Sequence, residues 1–475
     1  MTMHKINQFY IGGQWVDPAP GAGRFEMVDP ATEQASGHVA MATEADVDRA
    51  VAAARAALPA WSRSSREERM ALLGRAAALY QERMGEVAQA ITDEIGAPAW
   101  LAREYQAPIA LGQIKHIVEA LRGFPFESLQ GTTRIEREPV GVVALIAAWN
   151  WPSELFWGKV APALAAGCTM VLKPSEFAAL DARISAQVLH DAGVPAGVFN
   201  MVFGEGRSAG AALTRHPDVD MVSITGSTRA GAEVAANAAA GIKRVVQELG
   251  GKSANVILND ADLKAAVSNG VISCMLNSGQ TCVAPTRMLV PRALYATAVA
   301  IAQATAAALP VGDPRQPATK VGPLVNRAQF ERVQALIEAG IAEGARVVAG
   351  GPGRPEGLER GFFVKPTVFA DVRNDMRIAR EEIFGPVLCL IPYDSEEEAI
   401  AIANDSPYGL AGYVWSGDTA RARSVASRLR VGTVRINGAA MDFSAPFGGF
   451  KASGNGREHG PVGLSEYLET RAVMG

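Results

Sequence analysis

From position 139 to 250, short apolar runs alternate with helix-length amphipathic segments, which is the signature of parallel strand–helix–strand units. The runs at 140–147, 169–172, 198–203, 221–224 and 244–247 are almost continuously apolar, as strands buried on both faces require. The pattern predicts a doubly wound sheet, whose ligands bind beyond the carboxyl ends of the strands. Asn150, Lys173, Gly204, Gly226 and Glu248 follow directly on those ends. A second alternating series starts at 255–258 and runs to about Gly449, predicting a second α/β unit joined through the Glu248–Lys252 stretch. Upstream, residues 9–16 read as a hairpin around Gly12-Gly13. Thr43-x-x-Asp46 and Ser65-x-x-Glu68 are capping-box patterns that each open an Ala- and Leu-rich helix. Gly96 and Pro98 interrupt that pattern before a further helix over about 100–121.

At 475 residues the chain is too long for one hydrophobic core, so two or three packed units are expected. Forty-five basic against 49 acidic residues leave a net charge of −4, with no like-charge run to attract nucleic acid or an anionic membrane. No apolar stretch is long enough to span a bilayer and no signal-peptide pattern opens the chain, so a cytoplasmic location is expected. Cys168, Cys274, Cys282 and Cys389 are widely spaced, and the six histidines never share a helix face, so neither a disulfide framework nor a metal site is expected.

Gly204-Glu-Gly206-Arg-Ser208-Ala-Gly210 contains a Gly-x-Ser-x-Gly between a strand and a helix, the setting of a hydrolase nucleophile. His459 is the only histidine far enough downstream to serve it, and nothing in its Gly-rich surroundings marks it as a base. The same glycines miss the dinucleotide fingerprint by one position. Cys282 stands in a small polar stretch, Gly279-Gln280-Thr281-Cys282, where an exposed nucleophilic thiol would be expected, whereas Cys168 and Cys389 lie in apolar runs. Glu248 is flanked by glycines that let other groups approach, and Asn150 ends the first strand with an amide suited to capping a turn or donating to an oxyanion.

Taken together, these stretches resemble the aldehyde dehydrogenase superfamily. The matching segments are Trp149-Asn150-Trp151-Pro152, Lys173-Pro174-Ser175-Glu176, Thr225-Gly226-Ser227-Thr228, Glu248-Leu249-Gly250-Gly251-Lys252, Gly279-Gln280-Thr281-Cys282, Glu382-Ile383-Phe384-Gly385-Pro386 and Pro446-Phe447-Gly448-Gly449. The resemblance implies that Cys282 attacks an aldehyde, that Asn150 and the Cys282 backbone N–H hold the oxyanion, and that Glu248 activates the water that releases the acid. It implies NAD as cofactor, with NADP a weaker alternative. Trp149, Lys173, Glu176, Gly226, Ser227, Leu249, Glu382 and Phe384 are the expected cofactor contacts, and the Glu176 carboxylate would repel a 2′-phosphate.

The fold so implied is α/β, with two doubly wound Rossmann-like domains and a small β oligomerisation arm. Residues 1–120 and 139–250 would form the NAD-binding domain, 251–452 the catalytic domain, and 121–138 with 453–475 the arm. The arm's edges would be unpaired in a monomer, so a homodimer or homotetramer is expected, with no nucleic acid or membrane partner. Pocket positions by the same resemblance are Trp151, Glu154, Leu155, Gly158, Met441, Phe443 and Phe447. Gly158 suggests room for a large apolar aldehyde, aromatic or terpenoid; a broad-specificity or semialdehyde enzyme is the alternative. A serine or cysteine hydrolase using Ser208 or Cys282 is the alternative from another class. A coenzyme A-acylating enzyme is disfavoured because Glu248 is present, and a non-catalytic relative because the three reactive residues are retained.

Overall fold

The computed structural model describes residues 3–475. Its first large sheet has eight strands, and the five at its centre are parallel, in the spatial order Arg244–Glu248, Met221–Thr225, Val142–Ile146, Thr169–Lys173 and Phe199–Met201. The chain therefore reverses its direction of travel across the sheet between Val142–Ile146 and Met221–Thr225, which creates a crevice at the carboxyl ends. Each expected strand is present within one or two residues of its expected ends. Val142–Ile146 and Thr169–Lys173 are buried throughout, because helices such as Glu44–Trp61 and Pro152–Ala166 pack on them. The hairpin Phe9–Ile11 and Gln14–Val16 turns through Gly12 and Gly13, both at positive φ, and extends this sheet at one edge.

The second sheet has seven strands and is parallel except at the edge strand Arg346–Ala349. Its side chains divide by the period of two: Leu289, Val387, Cys389 and Ile391 join one core, and Met288, Val290, Leu388 and Leu390 join the other. Both faces are therefore covered, as the near-continuous apolar runs predict.

Both capping boxes form, at Thr43 and at Ser65, where the Ser65 hydroxyl accepts from the Glu68 N–H at 3.1 Å. The single helix expected at 100–121 is instead divided, with a π-helical turn at Ala102–Gln106 preceding Ala107–Gly123. Pro108 explains this, since it has no N–H to close an α-helical bond onto Glu104 and the ladder widens just before it.

A separate antiparallel sheet of three strands, Glu127–Gln130, Thr133–Pro139 and Leu468–Val473, stands largely exposed. The stretch 453–475, expected to belong wholly to this arm, divides. Gly454–Asn455 pairs with Gln247 and Glu248 at the edge of the eight-stranded sheet, and only Leu468–Val473 reaches the arm. Among the described residues, no helix is long and apolar enough to cross a membrane.

Candidate active site

Glu248 is the last residue of its strand, and Asn150 lies just beyond Val142–Ile146, two strands away across Met221–Thr225, so both lie at the carboxyl edge of the first sheet. Cys282 comes from the second unit, on the turn between the helix Leu263–Met275 and the strand Arg287–Pro291. That turn has an unfavourable backbone: Asn277, Ser278 and Gly279 have φ of 52°, 57° and 73° in succession. Gly279 is required there, because a Cβ would lie 2.1 Å from the Gly385 carbonyl oxygen.

Hydrogen bonds between the two units hold the turn. The Asn277 amide donates to the Asn150 carbonyl at 2.8 Å, and the Asn150 amide donates back to the Gln280 carbonyl at 3.1 Å. The Gln280 side chain accepts from the Val325 N–H at 3.0 Å, Ser278 donates to the Gly322 carbonyl at 2.8 Å, and the Trp151 indole donates to the Thr281 hydroxyl at 3.2 Å. With one N–H of Asn150 fixed on the turn that bears Cys282, the orientation of its other N–H is fixed too. Gly251 packs directly on Cys282, since a Cβ there would stand 2.6 Å from the Cys282 carbonyl oxygen.

Of the four cysteines, only Cys282 is not buried. Burial pushes the Cys282 thiol above its ordinary value, and the carboxylates of Glu154, Glu382 and Glu248 push in the same direction. Glu248 is also displaced upward, first by burial and then by Glu458, against the opposing pull of Lys159 and Arg457. Neither Glu248 carboxylate oxygen has a hydrogen-bond partner. Gly448 makes room for it, as a Cβ there would lie 2.7 Å from Oε1. Behind it, Lys159 is fully buried, forms an ion pair with Glu458 and donates to the Ser223 hydroxyl at 3.1 Å.

Lys159 and Glu458 were not singled out in the sequence. Lys159 sits inside a helix, and Glu458 lies 299 positions away among glycines, so only the fold joins them. The one available signal was a lysine in an otherwise apolar helix, 156–166, since a buried lysine needs a partner.

Several of the expected cofactor residues follow strands of the first sheet at the same carboxyl edge. Lys173 is buried, with Nζ donating to the carbonyls of Gly204 and Pro174 at 2.8 and 2.9 Å, and it stands 3.7 Å from the Glu176 carboxylate. Burial lowers the Lys173 ammonium pKa, and Glu176 partly restores it. Ser227 caps the helix Thr228–Ala239 with Gly226 just before it, so an open helix N-terminus suited to phosphate faces the crevice. From the second unit, Glu382 accepts the Gly251 N–H at 3.1 Å, and burial raises its carboxyl pKa to about 7. Gly250 allows that approach, since a Cβ there would meet Glu382 at 2.1 Å. Phe384 packs edge-to-face on Trp149 at 5.5 Å, and Leu249 is buried against Gly231. This arrangement of a half-buried carboxylate for a ribose, a helix N-terminus for phosphates and aromatic rings near Cys282 fits a nicotinamide dinucleotide.

On the substrate side, Trp151 and Leu155 are buried, while Met441, Phe443 and Phe447 are half-buried. Gly158 is buried, yet a Cβ on it would have no neighbour within 4 Å, so open space adjoins it. Ser208, the hydrolase candidate, lies elsewhere on an exposed π-helical turn. Its hydroxyl faces the Glu205 carbonyl at 3.4 Å, with no histidine bonded to it. Among the described residues, no three His, Cys, Asp or Glu side chains are grouped to hold a metal.

The sequence matches the family model described as "Aldehyde dehydrogenase family" over residues 15–473. It is 54% identical to a 3-succinoylsemialdehyde-pyridine dehydrogenase of a Pseudomonas species, over 100% of this chain and 99% of that protein. It superposes with a TM-score of 0.97 on a crystal structure of a mutant aldehyde dehydrogenase C from Pseudomonas syringae complexed with NAD+ and octanal, at 54% identity, covering 98% of this chain and 96% of that one. A Mycobacterium tuberculosis aldehyde dehydrogenase complexed with NAD+ gives a TM-score of 0.97 at 45% identity, covering 100% and 99% of the two chains.

The raised thiol can be measured directly. The rate of Cys282 alkylation by iodoacetamide in the cofactor-free enzyme is expected to keep climbing with pH beyond 9.0, the ordinary thiol value. A plateau reached below pH 8 would show that the thiolate is stabilised instead.

Proposed function

The chain belongs to the aldehyde dehydrogenase family, and from that premise we propose that it oxidises an aldehyde to the carboxylic acid with NAD as oxidant. The observation that carries this reading is the unpartnered, buried Glu248 carboxylate beside Cys282, the one cysteine of four that is not buried. A carboxylate with no hydrogen bond in a water-poor site is a strong base kept free for a proton.

Cys282 adds to the aldehyde carbon, and the oxygen that becomes negative is met by the free N–H of the Asn150 amide and by the Cys282 backbone N–H. One such donor contributes about 10²–10³ in rate. The thiol's raised pKa means that it must lose its proton to solvent in the course of attack. Bound NAD would supply the two-electron acceptor for the hydride that leaves this carbon, and Cys282 would then carry the acyl group as a thioester. Lys173, Glu176, Gly226, Ser227, Leu249, Trp149, Glu382 and Phe384 would hold the NAD. Glu248 then takes a proton from the water that attacks the thioester, and the acid departs from Cys282.

Replacing Glu248 separates the two halves of this sequence. Glu248→Gln is expected to retain a first-turnover burst of NADH and lose about 10²–10⁴ in steady-state rate, whereas Cys282→Ala loses both phases. A steady-state rate unchanged in Glu248→Gln would overturn the role given to Glu248. Ester hydrolysis that needs Ser208 but not Cys282, with no NADH formed from any aldehyde, would restore the hydrolase reading.

The half-buried Glu176 supports NAD over NADP, because a carboxylate close to a 2′-phosphate costs on the order of a few kcal/mol at an effective dielectric near 20. Glu176→Gln is expected to raise the NADP-to-NAD ratio of kcat/KM by about tenfold or more; equal use of both cofactors by the wild type would refute this.

For the substrate, we propose an aldehyde with a bulky apolar body, long aliphatic or aromatic. The open space beside Gly158 and the half-buried Met441, Phe443 and Phe447 support it. So do the octanal bound by the P. syringae protein and the pyridine semialdehyde for which the Pseudomonas relative is named.

The arm supports assembly into a homodimer or homotetramer, since Glu127–Gln130 is an exposed edge strand and Leu129 is 75% exposed upon it. Sedimentation at micromolar concentration is expected to give a mass of two or four chains, and a monomer would contradict the proposal.

A further inference from the structure

The helix Pro152–Ala166 begins directly after Trp151, and all its residues but one are buried. The exception is Glu154, in the first turn of that helix. Its side chain is 16% exposed, and its carboxylate has no lysine or arginine within 4.0 Å among the described residues. Its only polar neighbours are the Gln113 amide and the His459 ring, each at 3.5 Å. The Gln113 side-chain nitrogen also lies 2.8 Å from His459 Nε2, which ties the ring to the same helix-borne amide. The ring itself lies flat on Phe447 at 5.3 Å and beside Phe443 at 5.7 Å, in the backbone region φ 68°, ψ 151° that is otherwise nearly confined to glycine. A strained histidine thus fixes an aromatic wall next to a carboxylate that no lysine or arginine among the described residues pairs with.

That carboxylate is also near the chemistry. Of the charges that raise the Cys282 thiol, Glu154 acts most strongly, ahead of Glu382 and Glu248, and it acts on Glu248 as well. Glu154 also stands three residues beyond Trp151, whose indole donates to the hydroxyl of Thr281, the residue before Cys282, so the helix start that carries it abuts the Cys282 turn.

We propose that Glu154 is a specificity-determining residue, a charge filter that discriminates against aldehydes bearing an anionic group and favours neutral or cationic ones. The proposal rests on the aldehyde dehydrogenase reading and narrows its substrate class. An ω-carboxylate brought near Glu154 meets like charge in a partly desolvated passage, whereas a quaternary ammonium meets opposite charge and the faces of Phe443 and Phe447. Aldehydes of the succinate-semialdehyde type would be poor substrates, and semialdehydes whose far end is a neutral ring would be admitted.

The test compares kcat/KM for pentanal, 4-oxobutanoate and 4-(trimethylammonio)butanal in the wild type, Glu154→Gln and Glu154→Lys. Ratios to pentanal remove any general effect of the substitution on Cys282. The wild type is expected to disfavour the anion against pentanal by about tenfold or more, Glu154→Gln to bring that ratio near one, and Glu154→Lys to invert it. Comparable use of the anion and pentanal by the wild type, or an anion ratio untouched in Glu154→Gln, would overturn the proposal. Should the variants fail to fold, the wild-type ratio decides across ionic strength: a ratio that rises with salt supports the filter, and a flat one refutes it. No NADH from any of the three aldehydes would remove the oxidoreductase reading and this proposal with it, whereas brisk pentanal turnover that ignores charge removes the proposal alone.

Discussion

Asn277, Ser278 and Gly279 carry the chain into Cys282 through three consecutive left-handed residues, and each of the two that are not glycine costs about 1–2 kcal/mol in that conformation. Such a turn persists only where its surroundings over-determine it. Here they do so with the reciprocal bonds between Asn150 and the turn, with Gln280 anchored on the Val325 N–H, and with the close approach of Gly279 to Gly385. The nucleophile's position is thus a property of the junction between the two sheets and belongs to neither alone. Asn150 joins the two sides of that junction, since its side chain donates to the turn while its carbonyl accepts from it.

The electrostatics follow from placing an acid-rich cleft where water is scarce. Glu154, Glu248 and Glu382 all surround Cys282, and none has a lysine or arginine as a hydrogen-bond partner through its side chain. The thiol and Glu248 are in consequence both held toward their protonated forms. The buried Lys159–Glu458 pair behind Glu248 limits that displacement, because Lys159 offsets part of what Glu458 adds.

The strands of the first sheet were legible because buried parallel strands are nearly continuous apolar runs, and the three reactive residues were legible because each follows an element end in a recognisable segment. Less was visible wherever the decisive fact was a neighbour distant in sequence. Cys282 reads as an exposed, nucleophilic thiol from its polar surroundings, yet the groups that surround it in space are carboxylates from three other segments. His459 carries no local mark of importance, and its stacking on Phe447 and contact with Gln113 arise from a turn and a helix 346 positions apart. The broken helix before Ala107–Gly123 was readable in principle from Pro108, whose missing N–H acts upstream of the proline itself.

Strand Leu468–Val473 closes the arm by pairing with Thr133–Pro139, Gly454–Asn455 caps the edge of the first sheet beside Glu248, and Glu458 reaches back to Lys159. All of these contacts join residues made early in synthesis to residues made more than 200 positions later. During translation, the first sheet must therefore wait with Lys159 unpaired and one edge open, in the form most prone to stick to other chains. The buried lysine and the open sheet edge are thus liabilities of order of synthesis, relieved only when segments more than 200 positions downstream emerge to pair with them.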